Sequence, residues 1–370
     1  MSRPADSPVT RSVDLLVVGG GIAGLSTALA AAERQVRVLV VNETRPGAAS
    51  RAAAGILGPS LEGLPPSVHA IAIEARDAYP HFLAGLLDRT GIVVALDRNG
   101  ILELVASASD LDVRVARVGA AAQPLDTREL AKLEPALTGH AGALLHPKDG
   151  AVDTVALMRA LHLAVARDPR VELLSDRIAS LDFGAARPVA STAAGERIEC
   201  AHVLLASGAW ATDIPGLPRR LPVRPVRGEL LLLDHRPIHH VTSTEGGYYV
   251  PRGNTLIIGA TSVESGFVNR TTAGGRTSLL ALARQAIPAL DGSRVTDHWA
   301  GLRPVSPDGL PILGTDPEVA TLVYACGFSR NGILLAPWSA SRLALLISGD
   351  LPRDELVPFS SARSTSHSNF

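Results

Sequence analysis

Val13-Asp-Leu-Leu-Val-Val-Gly-Gly-Gly-Ile-Ala-Gly24 opens the chain's most informative stretch, followed by an alanine-rich segment and Val36-Arg-Val-Leu-Val-Val-Asn-Glu43. Leu15 to Val18 form a short apolar run that reads as a buried strand, Ile22 to Glu33 read as a helix, and Val36 to Val41 read as a second apolar strand. Gly19, Gly21 and Gly24 then supply G-x-G-x-x-G between strand and helix, with Ile22 and Ala23 inside the motif. Each glycine has its own reason: a tight turn at Gly19, close approach of backbone to a pyrophosphate at Gly21, and close packing of helix on strand at Gly24. The phosphates would meet the positive end of the helix dipole. An acid usually ends the second strand to hold ribose hydroxyls; here Asn42 stands there and Glu43 follows, and either residue can do the job.

The chain has 370 residues, 46% of them hydrophobic and 19% charged, with 34 Gly and 26 Pro, which fits a compact, loop-rich protein of two joined domains or one large one. A net charge of −1 with no basic block argues against a nucleic-acid or anionic-lipid surface. Two cysteines, Cys200 and Cys326, are too few for a disulfide framework and favour a reducing compartment. The polar start does not resemble a secretory signal, and no apolar run reaches the roughly 18 residues of a membrane helix, so a cytoplasmic protein is expected.

After the second strand, Arg45 to Pro59 is a run of tiny side chains with glycines. It replaces the third strand-helix unit of a nicotinamide-binding domain and lets backbone approach a flat, bulky ligand; its other reading is the start of an alanine-rich helix. Ser67 to Thr90 reads as a long helix broken near Pro80, and Ile92 to Val105 as a hairpin around Asp97-Arg-Asn-Gly100. Helices are expected at Asp110–Val118, Thr127–Leu133, Thr154–Ala166 and Thr277–Ile287, and strands at Val171–Leu174, Ile178–Phe183, Ala201–Ala206, Val226–Leu233 and within Tyr248–Ala260. The nucleotide domain is therefore discontinuous, resuming about 100 residues after it breaks off. Adjacent His239 and His240 have no partner at metal spacing, so no metal site is expected. Trp210, Trp299 and Trp338 suit packing, and the serine-rich end suits disorder.

Several separated motifs agree on one family. Gly19-Gly-Gly-Ile-Ala-Gly24, Ala49-Ser-Arg-Ala-Ala-Ala-Gly-Ile-Leu57, Ser207-Gly-Ala-Trp210, Tyr248-Tyr-Val-Pro-Arg252, Gly259-Ala-Thr261, Gly301-Leu-Arg-Pro304, Pro307-Asp-Gly-Leu-Pro-Ile-Leu-Gly314 and Arg330-Asn-Gly-Ile-Leu-Leu-Ala-Pro337 occur in order along nearly the whole chain. In these the sequence resembles the FAD-dependent D-amino-acid oxidase superfamily, and most of all the glycine oxidases of thiamine biosynthesis. The resemblance implies an α/β plus α+β fold: a discontinuous Rossmann-like FAD-binding domain (1–90, 146–220 and 300–359), a mainly antiparallel substrate domain (91–145 and 221–299), and a disordered tail (360–370). It places FAD, bound noncovalently, on Gly19, Gly21, Ile22, Ala23, Gly24, Asn42 or Glu43, Ser50, Ala53, Ala54, Gly55, Ile56, Gly208, Trp210, Gly327, Asn331, Gly332, Ile333 and Leu334. Arg303 matches the arginine that grips the substrate carboxylate, Tyr248 or its neighbour Tyr249 the tyrosine beside it, and Arg330 a second arginine nearby.

The chain departs from relatives at Ile56 and at Phe328-Ser329, close to the expected substrate pocket, which leaves the preferred amine open. The resemblance implies oxidation of glycine or a small D- or N-methyl amino acid to the keto acid and ammonia or amine, with oxygen leaving as hydrogen peroxide. It allows a homo-oligomer. Two rivals stand beside it. One is a D-amino-acid dehydrogenase passing electrons to a quinone or carrier; the other is a non-catalytic flavin or nucleic-acid-associated module, which the near-neutral charge disfavours.

Overall fold

The fold is given by a computed structural model that describes residues 11–61, 64–118, 122–212 and 214–363. Its first sheet begins with β1 (Arg11–Val18), continues through helix α1 (Ile22–Glu33) and returns in parallel as β2 (Val38–Val41). In β1, Leu15 and Val17 pack into one core and Leu16 and Val18 into another, so the strand is covered on both faces and its apolar run has no polar alternation. The chain then leaves this sheet until Val171–Leu174, which pairs in parallel with β2. Arg197–Leu205 pairs in parallel with β1 on the other side, and Leu322–Cys326 with the end of Arg197–Leu205. An antiparallel extension, Ile178–Asp182 with Val189–Thr192, and the edge strand Ile312–Thr315 complete eight strands.

The second sheet, also of eight strands, runs in the order Val295–Val305, Arg224–Leu233, Thr255–Gly259, Gly247–Arg252, Val241–Thr244, Ile101–Val105, Gly142–His146 and Gln123–Asp126. All neighbours are antiparallel except Val241–Thr244 with Ile101–Val105. The helix Ala273–Ala286 covers one face, where Leu231, Leu233, Ile258, Leu279 and Ala283 share a core. On the other face Ile101, Leu230, Val241, Val250 and Ile257 pack with Ala54 of the small-residue run and Ala151. Val295–Val305 stays in this sheet along its whole length, so the division expected at residue 300 falls inside a strand.

Several local expectations are corrected. Leu96–Asp97 and Ile101–Val105 do not form a hairpin: the former pairs with Gly150–Val152 in a small three-stranded sheet, the latter with Gly142–His146. Long-range pairing overrides the Asp97-Arg-Asn-Gly100 turn signal. The long helix, by contrast, is broken where expected: Pro66–Asp77 and Tyr79–Thr90 meet at Ala78, just before Pro80, and the second ends at Gly91 in the left-handed region at φ 73°. The run of small residues contains a single helical turn, α2 (Ala49–Ala52), and a two-residue strand, Ile56–Leu57. At the end, Arg363 is anchored by Asp308 and by the Pro311, Phe359 and Leu310 carbonyls, so Ser360–Arg363 is ordered; 364–370 lie outside the described residues.

Candidate active site

The glycine turn after β1 is closed from two directions. A side chain on Gly24 would collide with the Gly19 carbonyl oxygen, and one on Gly19, at φ 113°, would reach the Ala206 carbonyl oxygen at 2.5 Å. Gly24 is thus a packing residue outside the cavity wall, whereas Gly19, Gly21, Ile22 and Ala23 line it. Gly21 caps α1 without a side chain, and the Ile22 N–H is met instead by Ser50 Oγ at 3.0 Å, from 28 residues along the chain. The remaining first-turn N–H groups leave the positive end of the dipole open to the cavity. Asn42 Oδ1 accepts from the Gly20 N–H at 2.8 Å, so Asn42 holds the turn; Glu43 bonds Arg45 at 2.7 Å and lies 4.0 Å from Arg177.

The stretch of small residues is pinned from outside. The carbonyls of Ala52, Ala53, Ala54 and Gly55 accept in succession from Trp299 Nε1 (3.0 Å), Thr154 Oγ1 (2.7 Å), Arg252 Nη2 (2.7 Å) and the Val152 N–H (2.9 Å). Such backbone satisfaction fixes a loop that has almost no side chains to pack. Composition signalled the loop, but nothing in the sequence marked Thr154, Arg252 or Trp299 as its supports.

One large cavity, about 270 Å³, runs from this cradle to the second sheet, while a hollow beside Arg76 and Lys148 holds about 10 Å³, no more than a water. The walls bring together the predicted Asn42, Glu43, Ser50, Ala53, Ala54, Gly55, Ile56, Gly208, Trp210, Phe328, Ser329, Asn331, Gly332, Ile333 and Leu334 with Tyr248, Arg303 and Arg330. Ser207 Oγ, buried in that wall without a hydrogen-bond partner, and a second helix beginning at Gly332 with no side-chain cap add polar groups that a ligand would meet. Gly327 (φ 63°) supports the turn from behind rather than lining the cavity.

Tyr249 is a correction. Adjacent strand residues face opposite ways, so with Tyr248 in the cavity Tyr249 points into the core under Ala273–Ala286, 1% exposed, its hydroxyl donating to the Leu282 carbonyl at 3.1 Å. Sequence reasoning also missed Gly228 and Leu230, which line the cavity floor. The strand they share alternates cavity and core residues, the only signal that could have found them.

Arg303 lies half-buried on this floor. Its Nη1 donates to the Thr261 carbonyl at 3.1 Å, and no carboxylate among the described residues comes within ion-pair reach. Thr261 is itself held to the sheet, its Oγ1 accepting from the Glu229 N–H at 2.9 Å. Neither cysteine reaches the cavity; both are fully buried, and burial pushes each thiol up to about 12. His239 and His240 do share a carboxylate that sequence spacing hid: buried Glu134 lies 3.5 Å and 2.6 Å from their rings. No cluster of three metal-ligating side chains occurs among the described residues, nor does any helix there have the length and apolarity to cross a membrane.

Residues 14–346 match the family described as FAD dependent oxidoreductase. The chain is 33% identical over 371 residues to the glycine oxidase of Geobacillus kaustophilus, covering 96% of this chain and 98% of that protein. The crystal structure of glycine oxidase from Geobacillus kaustophilus superposes with a TM-score of 0.89 at 32% identity, over 96% of this chain and 100% of that one. The iminodiacetate oxidase from Chelativorans sp. BNC1 follows the same fold, with a TM-score of 0.86 at 25% identity over 94% and 98%. The cradle of α1, the pinned small-residue loop and the orphaned Ser207 hydroxyl all fit a long dinucleotide, and the chain belongs to the family of FAD-dependent oxidoreductases.

Proposed function

We propose that this protein oxidises glycine or another small amino acid, D- or N-methylated, at the carbon bearing the amine. The observation that carries the reading is Arg303: a half-buried guanidinium on the cavity floor, fixed by a carbonyl and lacking a carboxylate partner among the described residues. Such a cation invites an anionic ligand, and its planar fork suits a carboxylate held by two parallel hydrogen bonds. Tyr248 lines the same cavity and offers a hydroxyl to that carboxylate. The names of the related glycine oxidases agree with this chemistry.

Bound FAD would supply the redox chemistry, as acceptor for the hydride (one proton and two electrons) lost from the carbon, with oxygen as the final acceptor of the electrons. The chain's own work is positional. Gly19, Gly21 and the α1 N-terminus would hold the pyrophosphate, Asn42 or Glu43 the ribose, and Ala53 to Ile56 the flat ring, while the N-terminus at Gly332 would offer the cofactor positive charge. Arg303 and Tyr248 would fix the carboxylate, and so aim the adjacent C–H bond. Phe328 and Ile56 bound the space left for a side chain and favour a small one. Water then converts the imino acid to the oxo acid and ammonia, or methylamine from an N-methylated substrate, so that amino acid, oxygen and water yield oxo acid, ammonia or amine, and hydrogen peroxide.

Anaerobic addition of glycine, sarcosine, D-alanine and D-proline in turn to the yellow protein tests the reading. Bleaching by at least one, with peroxide formed when air is admitted, is expected. Bleaching by none overturns the substrate class; bleaching without peroxide unless a quinone is added assigns the dehydrogenase instead.

A further inference from the structure

Two glycines of the second sheet lie directly beneath the residues that face the ligand. In the pairing of Arg224–Leu233 with Val295–Val305, Arg303 stands opposite Val226 and its side chain leans diagonally over Gly228. A methyl group at Gly228 would overlap the guanidinium, with Cζ at 2.6 Å and Nη2 at 2.5 Å; the three nearest atoms are all Arg303's. Across the same face, Tyr248 pairs with Gly259, and a methyl group at Gly259 would overlap the Tyr248 ring and come 2.5 Å from its hydroxyl oxygen. Leu230 lies between the two glycines, paired to Gly259 and lining the cavity. Neither Gly228 nor Gly259 has φ in the left-handed region, so neither position owes its glycine to a positive φ.

We infer that Gly228 and Gly259 are positioning residues: each is a bed, open only because it has no side chain, in which Arg303 and Tyr248 lie low enough to leave room for a small carboxylate above Leu230. The inference rests on the reading of Arg303 as the carboxylate clamp. An arginine or tyrosine is held by its bed as much as by its hydrogen bonds, because dense packing leaves a displaced side chain no equivalent place to lie. Raising either by the thickness of a methyl group moves its polar atoms into the space of the substrate. Gly301, the partner of Gly228 on the ladder, serves differently, since a methyl group there meets Ala52 Cβ at 2.5 Å in the cofactor loop.

The test titrates glycolate and acetate against the visible flavin spectrum of holoenzyme and follows steady-state oxidation beside it. Gly228→Ala should weaken both carboxylates by on the order of 10- to 100-fold and raise KM more than it lowers kcat, with FAD content unchanged. Gly301→Ala should instead lower FAD content. In an Arg303→Ala background, Gly228→Ala should change carboxylate affinity by less than about 2-fold, because its effect passes through the missing guanidinium. Gly259→Ala should repeat the pattern with Tyr248→Ala. An undiminished loss in the Arg303→Ala background, or misfolding of Gly228→Ala that Arg303→Ala does not relieve, overturns the inference. Carboxylate binding untouched by Arg303→Ala alone overturns the underlying reading instead.

Discussion

Gly19, Gly24 and Gly55 of the cofactor cradle meet backbone, whereas Gly228 and Gly259 on the floor of the second sheet meet side chains. At Gly24 and Gly55 an added methyl group collides with the carbonyl oxygens of Gly19 and Val152, atoms that cannot yield without moving the chain. At Gly228 and Gly259 it collides with the far ends of Arg303 and Tyr248, which can yield only by lifting into the cavity. The first kind is needed for the fold to exist; the second is needed only for a ligand to be gripped. The largest predicted effect follows: Gly24→Ala should cost more than about 3 kcal/mol, seen as a lower denaturant midpoint and protein that no longer retains FAD. A yellow Gly24→Ala variant of ordinary stability would erase the distinction.

Next in size is Arg303→Ala. It removes the floor cation while leaving the cradle intact, so kcat/KM for glycine should fall by on the order of 100-fold or more, with the flavin absorbance preserved. Loss of FAD together with activity would mean that Arg303 belongs with the cofactor. Smaller again is the pair Tyr248→Phe and Tyr249→Phe. The first should raise KM by about 10-fold; the second should leave kinetics alone and lower stability by about 1 kcal/mol, because the Leu282 carbonyl loses its buried donor.

The same contrast explains what could be read in advance. A turn whose glycines meet backbone imposes its spacing on a contiguous stretch, so Gly19 to Gly24 announced both the strand and the helix, and Ile22–Glu33 lies where it was expected. The floor is assembled from four strands scattered between Arg224 and Val305, and Gly228 acquires its role only from register with a strand about 70 residues later. Arg303 was legible because family motifs surround it; Leu230 was not, since an apolar residue in an apolar strand looks the same over a core or over a cavity. The Ile92–Val105 hairpin failed for the same reason in reverse: a local turn signal was followed where pairing with Gly142–His146 decides.

Acid should test the second sheet more than the first turn. Glu103 is buried beside His146 (3.0 Å) and Arg114; burial alone would raise its carboxyl, but the His146 hydrogen bond and the Arg114 charge hold it below the usual range. Glu134 is buried too, and the donors of His239 and His240 lower it in the same way. A carboxyl depressed in the folded state contributes stability in full above its unfolded value, near 4.3, and loses it as pH falls through the folded value. The thermal midpoint should stay level down to about pH 5 and decline below, with Glu134→Gln flattening the decline. An unchanged slope both in that variant and in Glu103→Gln would place the acid sensitivity outside the second sheet.

The smallest effect is expected where the two regions touch. Phe267, 45% exposed, stacks on Trp210 with ring centroids 5.8 Å apart and planes at 20°, and the Arg45 guanidinium, paired with Glu43, lies 5.3 Å from the Trp210 ring centroid. Asn269 closes on Gly47, where a methyl group would meet its Cβ at 2.8 Å. Val263 hydrogen-bonds to Arg227 of the second sheet, so the segment from Val263 to Asn269 reaches from the substrate floor to the cavity wall formed by Arg45 and Trp210. A stacked aromatic pair contributes about 0.5–1.5 kcal/mol, so Phe267→Ala should speed FAD release by about 3- to 10-fold, read as the rise of free-flavin fluorescence on dilution. Carboxylate affinity should not move, since Arg303 and its bed are untouched. A change in glycolate binding instead would show that this segment serves the floor, and that the two regions are coupled through it.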